Sequence, residues 1–135
     1  MNYPFCFLPT ISDDKLLVNV PDIPGCQISV ASFEEGFSAI KKAIAEHLAI
    51  LAEYGETIPH ATNFTALQQQ FVQKNVLLWG MHEVDITPFL GKSQKINVTL
   101  PELLIKKIDD RVAISGEYPS RSGFIAQACI KELND

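Results

Sequence analysis

The 135-residue chain has only three cysteines, Cys6, Cys26 and Cys129, scattered and without C-x-x-C spacing. A disulfide framework or thiolate metal site needs more sulfur, more closely spaced. These three read as small apolar residues of a reduced, cytoplasmic protein. No run of eighteen apolar residues occurs, so no membrane span is expected. The opening Met1-Asn2-Tyr3-Pro4-Phe5 lacks a basic region followed by an apolar one, and no secretory signal is expected. Phosphate-binding glycine loops and the G-x-S-x-G turn of serine hydrolases are missing too. Basic charge is scarce: 11 Lys and Arg stand against 16 Asp and Glu, a net charge of −5. The deficit is uneven. Residues 92–135 carry seven basic and six acidic groups, whereas residues 1–91 carry four and ten, a balance of −6. The tail can meet nucleic acid only by collecting its cations on one face, and a dimer would double them. The acidic front repels nucleic acid and suits a basic protein partner.

What is present is a core. Hydrophobic residues make up 47% of the chain, which excludes disorder, and there is no internal repeat or low-complexity stretch. Tyr3 to Ile11 is a first strand candidate, which Pro4 and Pro9 mark as an edge or irregular strand. Ser12-Asp13-Asp14 forms a turn, and Leu16 to Val20 a second strand pairing back as a hairpin. In Pro21-Asp22-Ile23-Pro24-Gly25, Pro24 and Gly25 fit the central positions of a type II turn. Cys26 to Ala31 is a third strand. Ser32-Phe33-Glu34-Glu35 is a capping box, in which Ser32 and Glu35 satisfy each other's free backbone donors. The helix behind it carries Phe33, Phe37, Ile40, Ile44, Leu48 and Leu51 as one stripe, ended by Gly55. Thr57 to Thr65 reads as a loop, Ala66 to Lys74 as a short helix, and Val76 to Ile86 as a fourth strand.

The tail is built around Gln94-Lys95-Ile96-Asn97-Val98-Thr99-Leu100-Pro101. Ile96, Val98 and Leu100 alternate with Lys95, Asn97 and Thr99, the period of a strand with one buried face. Pro101 suits the first turn of a helix, and Leu104, Ile105, Ile108 and Val112 give that helix an apolar side. Gly116 to Pro119 ends it. Ser120 then caps a second helix, with Phe124, Ile125, Ala128 and Leu133 on its apolar side. A lone strand has no ladder partner, so this unit is expected to dimerise strand against antiparallel strand. The outer face of the resulting ribbon would repeat Lys95, Asn97 and Thr99, and such a ribbon fits the major groove of B-DNA.

This strand and its two helices, from Lys92 to Leu133, resemble the ribbon-helix-helix DNA-binding family. The resemblance implies base contacts from Lys95, Asn97 and Thr99, and a dimer core of Ile96, Val98 and Leu100. It also implies phosphate contacts at Ser120, Arg121 and Ser122, where a helix N-terminus offers free N–H groups to an anion. Gly123 departs from the pattern and would loosen that clamp. The plainer reading is a strand and two helices that serve only as a dimer handle.

The front carries a second resemblance. V-P-D-I-P-G-C, then F-E-E-G-F-S-A-I-K-K-A-I-A-E-H-L, then Y-G-E-T-I-P, and later V-D-I-T-P-F-L-G-K-S-Q-K-I-N-V-T-L-P-E-L-L, are similar to the HicB antitoxin family. One departure is Val30-Ala31-Ser32, where the family often has Gly and Thr before the Glu pair. The resemblance implies an α+β chain in two domains. Residues 1–87 would be a toxin-binding domain with a partial ribonuclease H-like fold, an antiparallel sheet plus a helix. Residues 88–93 would link it to a ribbon-helix-helix dimerisation domain at 94–135. It also implies a HicA-like toxin as partner, a small ribonuclease that degrades messenger RNA, and repression of the operon encoding both. Operator DNA and a homodimer follow, with pairing of dimers into tetramers left open. Nothing in the sequence marks the toxin-contacting residues.

Asp13, Asp14, Asp22 and Asp85 raise a metal-dependent nuclease reading, because two-metal hydrolysis needs clustered carboxylates. Asp13 and Asp14 are ordinary turn residues, however, and Asp22 precedes a Pro-Gly turn. His47, His60 and His82 lack ligand spacing and read as solvated or core histidines. Trp79 reads as core. No catalytic residue, metal or cofactor is expected. The functional alternatives are therefore an antitoxin that also represses, and an effector- or metal-sensing ribbon-helix-helix repressor.

Overall fold

The computed structural model describes residues 1–12 and 14–134; Asp13, read above as a turn residue, and Asp135 lie outside the described residues. The chain divides into two compact units, Met1–Leu90 and Gly91–Asp135. It is an α+β protein, with a four-stranded antiparallel sheet and four α-helices among the described residues.

In the first unit the elements run β1 (Asn2–Pro9), β2 (Leu16–Asn19), β3 (Gln27–Val30), α1 (Phe33–Glu53), α2 (Phe64–Gln70) and β4 (Leu78–Glu83). The strand order is β3-β2-β1-β4. The expectation that Pro4 and Pro9 put β1 at an edge is therefore wrong: β1 is central. Met1 and Val84 exchange both backbone hydrogen bonds, at 2.9 and 2.8 Å. By alternation, odd residues of β1 then point their N–H groups at β4 and even ones at β2. Pro4 aims its missing donor toward β2, whose pairing starts only at Cys6 opposite Asn19. Pro9 aims its own toward β4, whose pairing starts only at Phe7 opposite Leu78. Each proline sits where the neighbouring strand has run out, so no ladder bond is lost.

Turns and caps follow local chemistry. Cys26 N–H donates to the Ile23 carbonyl at 3.0 Å around Pro24 and Gly25, and Gly25 has φ of 81°, the type II geometry. Ser32 Oγ accepts from Glu35 N–H at 3.1 Å. The reciprocal bond is shifted by one residue from the expectation, since the Glu35 carboxylate accepts from Ala31 N–H at 2.8 Å. α1 ends in a Schellman motif: Gly55 (φ 69°) donates to Ala52 and Glu56 to Leu51, at 3.1 and 2.8 Å.

α1 packs on the sheet face that carries Phe5 and Phe7. Its buried line is Gly36, Ile40, Ala43, Ile44 and Leu48. A Cβ at Gly36 would fall 2.3 Å from the Phe7 ring, so glycine is what lets the helix approach this closely. Phe33 and Phe37, predicted within the buried stripe, sit at its rim; their rings contact Phe7 and Phe5, with centroids 4.9 and 5.5 Å apart. On the opposite face Trp79 lies edge-on to Phe64 and Phe71. α2 begins earlier than expected because Asn63 Oδ1 accepts from Thr65 N–H and caps it. After β4, Ile86 is buried and a 3-10 turn, Thr87–Phe89, packs near α1. The first residues of the expected linker thus belong to the front unit.

The second unit holds α3 (Glu102–Ile114) and α4 (Arg121–Asn134). Pro101 occupies the N-cap of α3, one position before the first turn, and its carbonyl accepts from Ile105 N–H at 3.1 Å. Gln94 to Leu100 belongs to no helix or strand within the single chain. The reason is that a strand exists only with a partner, and the described residues of one chain supply none.

Candidate functional site

Arg111 and Arg121 are the tail's only arginines, and Arg121 is already engaged. Its Nε donates to Asp109 Oδ1 at 2.9 Å and its Nη2 to Oδ2 at 2.8 Å. This fork ties the first turn of α4 to the middle of α3. The hydrogen bonds from Arg121 hold the Asp109 carboxyl below its usual range, and the same bonds raise the guanidinium. Sequence reasoning chose Arg121 but missed Asp109, whose pairing spans twelve positions and leaves no local trace.

Ser120 acts as the predicted cap: its Oγ accepts from Gly123 N–H at 3.1 Å, and its carbonyl from Phe124 N–H at 3.0 Å. Ser122 is exposed beside it. Gly123 lies in the first turn of α4. A Cβ there would lie 3.1 Å from Pro119 Cδ, so glycine allows the Pro119 ring to pack against the helix start. Tyr118 stacks edge-on to Phe124 at 5.0 Å. Lys95, Asn97 and Thr99 are all exposed. So are two of the three expected core residues, Ile96 at 77% and Val98 at 62%, while Leu100 is half-buried. Of α3 only Ile108 is buried; Leu103, Leu104 and Ile114 are exposed, as are Ala128 and Leu133 of α4. Among the described residues this apolar surface stays open to solvent.

In the front unit the carboxylates have structural tasks. Asp22 accepts from Thr62 twice, from the backbone N–H at 2.8 Å and from the hydroxyl. Tyr3 donates its hydroxyl to the Pro59 carbonyl at 2.6 Å. The two bonds lash the loop after α1 to the turn after β2 and to the central strand. Burial, and then the Asp22 charge, push the Tyr3 hydroxyl up to about 12. Asp14 accepts from the Ser12 hydroxyl, and Asp85 from Thr87 N–H at 3.0 Å. Among the described residues no three His, Cys, Asp or Glu side chains converge on a point that could hold a metal.

The histidines are dispersed as well. His47 Nδ1 bonds the Ala43 carbonyl at 3.0 Å, one helical turn back. His60 is exposed. His82 is half-buried, and burial, then Lys41, lower its pKa against the opposing Glu83. Burial pushes both the Cys6 and Cys26 thiols up to about 11, the behaviour of inert core sulfur. Among the described residues, a shallow depression beside Pro9, Ile11, Lys15 and Leu17 is lined by no carboxylate, histidine or thiol. Among the described residues no helix is long and apolar enough to cross a membrane.

The first unit is thus a four-stranded sheet with its helices, and the second is a pair of helices. The sequence profile of the HicB-like antitoxins of bacterial toxin–antitoxin systems matches residues 3–129, and the chain belongs to that family. It is 33% identical over 133 residues to an uncharacterised 14.9 kDa protein from the rep–hol intergenic region of Haemophilus phage HP1, covering 98% of each. The crystal structure of the Burkholderia pseudomallei antitoxin HicB is similar over 99% of both chains, at 29% identity and a TM-score of 0.72. A chain of a HicA3–HicB3 toxin–antitoxin complex matches 63% of this chain and 99% of its own length, at 22% identity and a TM-score of 0.51.

Proposed function

We propose that the chain is a cytoplasmic antitoxin that binds and blocks a HicA-like, mRNA-degrading toxin and represses its own operon through a dimeric ribbon-helix-helix domain. In this reading the front unit is a partial ribonuclease H-like module that binds without cutting. Its charge of −6 across residues 1–91 complements a basic, RNA-binding toxin surface. Membership of the antitoxin family and the likeness to a chain from a toxin–antitoxin complex support the partner class.

One observation carries the second half of the reading. Ile96 and Val98 stay exposed in one chain while alternating with Lys95, Asn97 and Thr99. Burying two such apolar side chains contributes roughly 1.5–3 kcal/mol each, and an antiparallel partner strand would supply that burial and the missing ladder together. The polar residues then face outward toward base edges. Ser120, Arg121 and Ser122 lie at the start of α4, where an incoming phosphate would meet the helix N-terminus.

The test combines assembly and readout. The full chain should copurify with the product of the adjacent small open reading frame and sediment as a dimer or a pair of dimers. Val98→Asp should put unpaired carboxylates in the shared core and dissociate the tails. Asn97→Ala should leave the dimer intact and flatten operator preference by roughly 1–3 kcal/mol of discrimination. Unchanged selectivity in Asn97→Ala would remove the ribbon from the reading.

A further inference from the structure

β4 ends the sheet, and its outer rim is open. Because Val84 and Met1 form a doubly bonded pair, the alternate residues His82, Gly80 and Leu78 use their backbone groups toward β1. Trp79, Met81 and Glu83 therefore point their N–H and C=O groups outward. Among the described residues no backbone partner meets them.

Natural sheets blunt such edges with lysine, proline, a bulge or a cover. The sequence of β4, Leu-Trp-Gly-Met-His-Glu, contains neither lysine nor proline. Instead the rim carries exposed apolar side chains on both faces. Leu78 and Phe37 lie on the α1 face, and Met81, 54% exposed, on the other. Phe37 reaches this edge because Gly80 has no side chain; a Cβ there would lie 3.0 Å from the Phe37 ring and 2.4 Å from Phe5. The opposite edge differs: β3 turns Gln27 and Ser29 outward, and Gln27 N–H is already taken by the Gly25 carbonyl at 3.0 Å.

We infer that the rim of β4 is a strand-addition site at which a basic, extended segment of the toxin pairs antiparallel or parallel with Trp79, Met81 and Glu83. This rests on the antitoxin reading and adds to it where the toxin docks. Main-chain bonds would hold the segment, while Phe37 and Leu78 on one face and Met81 on the other grip its alternate side chains. Charge selects the occupant. Two front units, each at −6, repel one another, and Glu83 on the rim favours a cationic strand over a second copy.

Hydrogen exchange on the full chain, alone and with the catalytically silenced product of the adjacent open reading frame, tests this. The amides of Trp79, Met81 and Glu83 should exchange fast in the free chain and become protected at least about tenfold on binding, while Ser29 stays unchanged. Met81→Pro removes an outward donor and no inner ladder bond. It should weaken toxin binding at least about tenfold, the loss of one backbone bond and its side-chain contact. Ser29→Pro, the matched change on the other edge, should leave binding alone. Toxin binding without protection at the three amides overturns the site and leaves the antitoxin reading intact. Protection of the same amides by self-association, without toxin, overturns the choice of occupant. Failure of the wild-type chain to bind the toxin removes both readings.

Discussion

Arg121 and Asp109 face each other across twelve positions in a planar, two-pronged ion pair, Nε to Oδ1 and Nη2 to Oδ2, at 2.9 and 2.8 Å. The guanidinium proposed to meet DNA phosphate is thus held in place, and partly neutralised, by a carboxylate of its own unit. Both partners are about half exposed, so the pair positions the arginine more than it stabilises the fold.

Removing either partner should therefore show in DNA binding and its salt dependence, not in thermal stability. Arg121→Ala should weaken binding to operator and random DNA alike and lower the salt slope by about one unit. Asp109→Asn should do the reverse, with tighter low-salt binding and a steeper slope, because the arginine loses its internal counter-ion. The Asp109 carboxyl lies below its ordinary value. Any stability from the pair is accordingly present above the unfolded value of about 3.9 and lost as pH falls through the lower folded value. Titration of operator affinity against salt decides; equal slopes in all three proteins would detach Arg121 from phosphate.

A second pH limb belongs to Tyr3. Its folded value is raised to about 12 from 10.0 by burial and by Asp22. A group raised in the folded state contributes stability fully below its unfolded value and loses it as pH climbs through the folded one. The chain should hold its stability to about pH 10 and lose it between there and pH 12. Tyr3→Phe should remove the late tyrosinate step and cost about 1–2 kcal/mol, because it leaves the Pro59 carbonyl without its donor. Absorbance titration beside circular dichroism, on the wild-type chain and on Tyr3→Phe, would read both; identical titration curves above pH 10 in the two proteins would contradict it.

Asp22 is predicted to act as a tether. Asp22→Ala strands Thr62 N–H and its hydroxyl, and should cost about 2 kcal/mol in urea unfolding. Thr62→Val should lose part of the same amount, and the double variant should cost less than the two singles summed, since they share one interaction. Chelators should leave both stability and toxin neutralisation unchanged. A fall in stability on adding chelator to the wild-type chain would return Asp22 to the metal ligands.

What could be read in advance was local. Ser32, Gly55 and the Pro24-Gly25 turn act through neighbours within a few residues, and each sits where that chemistry put it. Asn63 is readable in the same way, as a cap ahead of Phe64, although the stretch around it, Thr57 to Thr65, reads as a loop. Pro4 and Pro9 misled because a proline's effect depends on which edge its missing donor faces, and that is set by where β2 and β4 end. Asp22 with Thr62, and Asp109 with Arg121, are pairings between distant segments, invisible until the chain is folded. The tail presents the opposite problem. Its alternation at 95–100 is plain in sequence, yet one chain cannot express it as a strand.

The division at Leu90 makes a final prediction about the front unit alone. Among the described residues every buried apolar core residue except Ile108 lies in Met1–Leu90. A fragment ending after Leu90 should therefore unfold cooperatively by itself. One ending at Thr87 discards the rest of the 3-10 turn beside α1, and should melt at lower temperature. The longer fragment should still bind and neutralise the toxin, since occluding a basic surface needs only the acidic unit. Association should slow as salt rises past a Debye length of about 10 Å at 0.1 M, because complementary charge speeds encounter. Its affinity should fall if two front units normally act as a pair, since linkage raises effective concentration. It should not bind operator DNA at all. A full-length variant carrying Ala at Lys95, Asn97 and Thr99 should likewise rescue growth against the toxin without repressing the operon. Growth assays with both proteins separate the two tasks; a fragment that folds but neither binds nor rescues would move toxin recognition out of the front unit.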